Sequence, residues 1–257
     1  MLLAVDVGNT NITVGVFDGN KLKATWRIGT DVHQTSDEYG SLVVHLIERQ
    51  GLKVSSINEA VFCSVVPPLV GVFEQMCRRY FSTKALVVEP GVKTGVKICL
   101  DNPREVGADR VVNAVAAHKL YGGPVIVIDL GTAITFDAVS EEGDYLGGAI
   151  APGIAIATEA LFTRTAALPR LELDIPRKAI GKNTVAAMLS GIVFGYSGLI
   201  EKVVSRIQEE LGGKAKVVAT GGYAELLARM TPIIEEVNPD LTLIGLRLIY
   251  EMNRERE

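Results

Sequence analysis

The chain has 257 residues, 48% of them hydrophobic and 22% charged, with a net charge of −4. That composition supports a buried core and argues against disorder; with no basic block it also argues against nucleic acid as the main partner. No apolar run approaches the ~20 residues of a membrane span, and the chain opens without a signal-peptide head, so no membrane and a cytoplasmic location are expected.

Leu2–Val7 is a short apolar strand with one carboxylate, Asp6, near its end. Gly8-Asn9-Thr10-Asn11 reads as a tight turn, since Gly and Asn tolerate positive φ. Ile12, Val14 and Val16 then alternate with Thr13, Gly15 and Phe17, which predicts a returning strand. Asp6 is therefore expected at the lip of a sheet, beside a loop rich in backbone N–H and hydroxyl groups. Such a loop can cradle phosphate oxygens while the Asp holds a metal ion. An ordinary hairpin with an Asp-capped turn reads equally well from these residues alone.

Lys21–Ile28 predicts a third antiparallel strand. Ser36-Asp37-Glu38 reads as the cap of a helix over Tyr39–Gln50 that stops at Gly51. A strand over Glu59–Val65, a helix over Leu69–Tyr80 and a short strand over Ala85–Glu89 follow. This alternation predicts a mixed sheet flanked by helices. Pro103 blocks any helix arriving from Asn102, and a helical pattern begins at Asp109. Gly107-Ala108-Asp109-Arg110 thus lies at a helix start. Asp109 there is either a first-turn charge or a carboxylate presented to a substrate that Arg110 grips.

Val125–Val139, VIVIDLGTAITFDAV, repeats the first hairpin. Asp129-Leu130-Gly131 matches Asp6-Val7-Gly8. With one residue deleted in the turn, Thr132, Ile134 and Thr135 match Thr10, Ile12 and Thr13. Gly143–Ile150 supplies a third strand again, so a duplicated architecture is predicted. A helix over Ile154–Phe162 and an irregular stretch over Thr163–Asn183 come next. Gly181-Lys182-Asn183-Thr184 fails as a P-loop, lacking the earlier Gly and the Ser/Thr after Lys. Thr184 reads instead as the N-cap of a long helix to Leu211, or as a hydroxyl facing a ligand. Gly191, Gly195 and Gly198 share one face of that helix, which suggests close packing, within the chain or across subunits. A strand over Lys216–Thr220 ends in Gly221-Gly222, where a ligand or phosphate can approach the backbone. A helix over Tyr223–Met230 and an amphipathic helix over Leu243–Met252 with a charged tail close the chain. Cys63, Cys77 and Cys99 have no CxxC spacing and read as buried free thiols; His33, His45 and His118 are scattered.

The ordered set DVGNTN, NPREVGADR, IDLGTAITFD, GGAIAPG and Thr220-Gly-Gly resembles the acetate and sugar kinase/Hsp70/actin superfamily, and more narrowly type III pantothenate kinases, from Met1 to about Met252. The resemblance implies two duplicated ribonuclease H-like (actin-like ATPase) domains, 1–117 and 118–257, with mixed sheets flanked by helices and a cleft between them. It implies phosphorylation of pantothenate by ATP, the first step of coenzyme A biosynthesis, in a homodimer. Asp6, Val7, Gly8, Asn9, Thr10, Asn11, Ile12 and Thr13, with Thr132, would bind ATP, Asp6 at the Mg²⁺–phosphate site. Gly107, Ala108, Asp109, Arg110 and Thr184 would bind pantothenate, with Asp109 as proton acceptor. Asp129 would hold K⁺ or NH₄⁺. Leu100 stands near a position where several relatives carry an aromatic residue against the substrate. A nucleotide-binding regulatory protein on the same fold, or a kinase for another small hydroxyl substrate, are the alternative readings.

Overall fold

The computed structural model describes residues 1–254; the end of the charged tail, residues 255–257, lies outside the described residues. The chain forms two compact units. One comprises residues 1–95, 102–116 and the stretch from Thr242 onward; the other comprises residues 96–101 and 117–241.

In the first unit β1 (Leu2–Val7), β2 (Asn11–Asp18) and β3 (Lys21–Gly29) form an antiparallel meander. β4 (Glu59–Ser64) adds parallel to β1, and β5 (Leu86–Val87) adds parallel to β4, giving the order β3-β2-β1-β4-β5. β1 runs LLAVDV with all but Asp6 buried, as a strand covered on both faces should. The covering helices include α1 (Ser36–Arg49) and α2 (Pro67–Phe81), whose Tyr39, Val43, Ile47, Leu69 and Phe73 pack with Leu3, Val5 and Val14. α1 is capped by Thr35 rather than Ser36. The Thr35 hydroxyl accepts from the Glu38 N–H, and the Glu38 carboxylate accepts from the Thr35 N–H at 2.7 Å, a complete capping box. α2 starts on Pro67-Pro68, where missing N–H groups cost nothing. α3 (Ala108–Tyr121) begins in this unit.

The second unit repeats the plan. β6 (Val125–Leu130), β7 (Ala133–Val139) and β8 (Tyr145–Pro152) form the meander, and β9 (Lys216–Thr220) and β10 (Glu236–Val237) add in parallel beyond β6. The order β8-β7-β6-β9-β10 is that of the first sheet. Two such sheets with helices are the duplicated ribonuclease H-like, actin-like ATPase architecture expected from the sequence. The two-residue β10 escaped the sequence reading because so short a strand carries no alternation. α4 (Ile154–Thr163), α5 (Thr184–Glu210), α6 (Ala224–Ala228) and α7 (Leu241–Asn253) complete the chain, and nearly all of α7 belongs to the first unit.

α5 departs from expectation in three ways. Its N-cap is Asn183, whose side-chain oxygen accepts from the Ala186 N–H at 2.8 Å, so Thr184 is the first helical residue. By length and composition it is apolar enough to cross a membrane, although 33% of its most apolar window is buried in the protein. The sequence reading missed that run because Gly and Ser interrupt it, while no charge falls between Thr184 and Ile200. Finally, a Cβ on Gly191, Gly195 or Gly198 would meet nothing within 4 Å, so among the described residues nothing packs closely on these three glycines. Cys63 and Cys77 are buried as expected, but Cys99 is exposed. Burial first, then Glu74, pushes the Cys77 thiol up to about 12.

Candidate functional site

In the first unit the β1–β2 turn closes with the Gly8 N–H donating to the Asn11 carbonyl at 3.1 Å. A Cβ on Gly8 would sit 2.9 Å from that same oxygen, so glycine is required there. Thr30, at the end of β3, ties the loop down. Its hydroxyl donates to the Gly8 carbonyl at 2.7 Å and its N–H to the Thr10 carbonyl at 3.0 Å. Asn9, Thr10 and Asn11 are exposed, whereas Val7 and Ile12 are fully buried and can offer a ligand only backbone. Asp6 and Thr13 face each other across the hairpin, both half-buried.

The parallel register sets Cys63 of β4 beside Asp6. The Cys63 thiol donates to Asp6 Oδ1 at 3.4 Å. Burial, then Asp6, then Asp109 hold the Cys63 thiol well above its usual pKa. Asp6 and Asp109, far apart in sequence, thus both act electrostatically on one buried thiol, and Asp6 is the one in contact with it. Asp109 lies in the first turn of α3, where its Oδ1 accepts from the Arg110 N–H at 2.8 Å. A Cβ on Gly107 would collide with Asp109 Oδ1 and would lie 3.6 Å from Val65, so Gly107 leaves room for that carboxylate. Residues 107–110 are all half-buried, and Ala108 is the first residue of α3.

In the second unit Asp129 faces Thr135 across the hairpin and Thr220 on β9. Gly131 donates its N–H to the Ala133 carbonyl at 3.1 Å, closing a shorter turn that leaves Thr132 exposed. Gly153 donates to the Thr132 carbonyl at 3.1 Å and holds this loop as Thr30 holds the other. Gly221 has φ +93, and a Cβ there would stand 2.6 Å from Asp129 Oδ1 and 2.7 Å from the Leu130 backbone. The glycine after β9 thus makes way for the Asp129 carboxylate. Leu100 belongs to this unit and packs on β8, its Cδ2 3.2 Å from where a Gly147 Cβ would be. Thr184 is exposed and lines an open groove of about 810 Å³ along α4 and α5, with Leu161, Leu168, Met188, Ile192 and Tyr196 among the others.

Sequence reading overlooked Thr30 and Cys63. Thr30 gives no local signal beyond ending a strand, and Cys63 reads as a core residue. It also overlooked Asp137, fully buried, which accepts from the Tyr145 hydroxyl at 2.7 Å and the Thr135 hydroxyl at 3.0 Å. Among the described residues no group of three or more His, Cys, Asp or Glu side chains could hold a metal ion. That does not count against magnesium, which takes much of its shell from phosphates and water, so the single half-buried carboxylate of Asp6 beside an exposed loop fits it.

The family model for type III pantothenate kinase matches residues 2–206. A type III pantothenate kinase from Moorella thermoacetica is 56% identical over 253 residues, covering 98% of this chain and 100% of that protein. One from Dehalococcoides mccartyi is 54% identical over 253 residues, 98% of this chain and 96% of that protein. The activator of the 2-hydroxyisocaproyl-CoA dehydratase from Clostridium difficile, solved with bound ADPNP, has a TM-score of 0.53 at 12% identity. That alignment covers 100% of this chain and 98% of the other, and is a likeness of fold alone. On its sequence, from the hairpin at Asp6 through most of its length, the chain belongs to the type III pantothenate kinase family.

Proposed function

We propose that this protein transfers the γ-phosphoryl group of ATP to the primary hydroxyl of pantothenate, giving 4′-phosphopantothenate and ADP. The family and the names of its close relatives support the kinase over a nucleotide-binding regulator or a kinase for another substrate. The observation that carries the site reading is the buried Cys63 thiol donating to Asp6 Oδ1 at 3.4 Å, with Asp109 among the charges that raise that thiol's pKa. It supports a reading in which the turn taken as a phosphate loop and the carboxylate taken as the proton acceptor serve one site.

Phosphoryl transfer asks for in-line positioning and charge neutralisation more than for a strong base. Asp109 accepts the proton of the attacking hydroxyl as the new P–O bond forms, and Arg110 grips the pantothenate. Residues 6–13 and Thr132 bind the nucleotide, and Thr184 and Leu100 border the pantothenate. Mg²⁺ at Asp6 and a monovalent cation, K⁺ or NH₄⁺, at Asp129 would supply charge neutralisation on the phosphates. The two ATPase-like domains are assigned along the chain as 1–117 and 118–257, although residues 96–101 and the stretch from Thr242 onward each group with the other unit, and the open glycine face of α5, with the exposed Phe194 beside it, is assigned as the contact between two protomers in the cytoplasm.

The test is ADP release in a coupled assay, with and without pantothenate and with K⁺ replaced by Na⁺. Release that requires pantothenate and rises with K⁺ is expected. Release independent of pantothenate, or none at all, overturns the assignment.

A further inference from the structure

The Cys63 thiol is buried completely, yet it is not surrounded by apolar groups alone. It stands on β4 in register with Asp6 on β1, and its sulfur is 3.4 Å from Asp6 Oδ1. A carboxylate oxygen only accepts, so the thiol is the donor in this contact. A β-carboxylate at the end of a strand has several rotamers and a free rotation about its terminal bond. A fixed donor from the neighbouring strand narrows that set.

We propose that Cys63 is a positioning residue for the reaction: its S–H fixes the Asp6 carboxylate in the orientation that receives the metal–phosphate group. This rests on the reading of Asp6 as serving that group. A valine or an alanine at 63 keeps the core apolar but removes the donor. A serine restores a donor at the same place. The thiol is a weak donor, so the effect is graded, not absolute.

The test compares Cys63→Val, Cys63→Ala and Cys63→Ser with the unaltered protein. Two readouts are taken: the Mg²⁺ concentration giving half-maximal ADP release, and binding of a non-hydrolysable ATP analogue with Mg²⁺ by calorimetry. The Val and Ala variants are expected to need about five-fold more Mg²⁺, with the KM for pantothenate within two-fold of the original. Cys63→Ser is expected to return both readouts to within about two-fold. Should Val fold poorly, Ala decides. An unchanged Mg²⁺ requirement in the donor-less variants overturns the proposal. So does an equal loss in Ser and Ala that follows their melting temperatures. If the unaltered protein releases no ADP, the kinase reading fails, and the calorimetric arm still decides the role of Cys63.

Discussion

Replacing Gly221 by alanine tests the construction around Asp129 most directly. The backbone at 221 has φ +93, outside the range an L side chain adopts readily. Strain of that kind costs roughly 1–3 kcal/mol. The added Cβ would also lie 2.7 Å from Leu130 backbone atoms and 2.6 Å from Asp129 Oδ1. The carboxylate can swing away but the backbone cannot, and forced overpacking costs roughly another 1–3 kcal/mol. Together Gly221→Ala is expected to lose roughly 2–6 kcal/mol in urea unfolding. Because Asp129 is displaced first, the response of activity to K⁺ is expected to weaken as well. The control is Gly71→Ala in the middle of α2, where a Cβ meets nothing. There alanine is expected to gain about 0.5–1 kcal/mol through helix propensity. If Gly221→Ala unfolds at the urea midpoint of the original and keeps its K⁺ response, crowding at Asp129 is not the reason for that glycine.

Asp109→Asn is expected to retain ATP binding while turnover falls by at least about a hundred-fold, the scale of a lost general base; a single-turnover assay with unchanged rate would refute the proton-acceptor role. Tyr145→Phe removes the hydroxyl donated to the buried Asp137 at 2.7 Å. Leaving a buried acceptor without its donor costs about 1–3 kcal/mol, so the urea midpoint should fall accordingly, and no change would mean the contact is idle. Thr35→Ala breaks the capping box of α1 and is expected to cost about 1 kcal/mol. Hydrogen bonds from the Thr35 backbone and side chain lower the pKa of Glu38 below its usual 4.5. A depressed carboxylate stabilises above its unfolded pKa and loses that contribution as pH falls through the folded one. The difference between Thr35→Ala and the original should therefore shrink below about pH 4.5, and thermal melts from pH 3 to 7 read it.

What was legible in the sequence was local. β1 and β2 could be read because alternation and a Gly-Asn turn lie within sixteen residues, and the same holds at Val125–Val139. Helix starts were placed to within three residues, but the caps of α1 and α5 were misassigned. Thr35 and Ser36, or Asn183 and Thr184, are all capable caps, and only the geometry says which side chain reaches the N–H three residues on. The membership of residues 96–101 in the second unit was not legible, since it depends on the Ile98–Tyr145 bridge and on Cys99 donating its N–H to the Tyr145 carbonyl at 2.8 Å. So Leu100 and Gly107, seven positions apart, fall in different units. Cys63 was illegible for the same reason: its partner is chosen by strand pairing, and apolar strands look alike.

The two hairpins show which feature the duplication retains. Side chains alternate faces with period two, so losing one residue inside a strand would turn Asp129 to the opposite face from its partner. The registers exclude that. Asp6 faces Thr13 and Val7 faces Ile12; Asp129 faces Thr135 and Leu130 faces Ile134. The missing residue is absorbed by the turn, which closes from Gly8 to Asn11 in one copy and from Gly131 to Ala133 in the other. Turn length therefore varies while a carboxylate and a hydroxyl stay paired at the mouth of each sheet. A turn serving only to reverse the chain has no reason to hold that pair fixed. A site that must present a carboxylate at a set depth beside an exposed loop does.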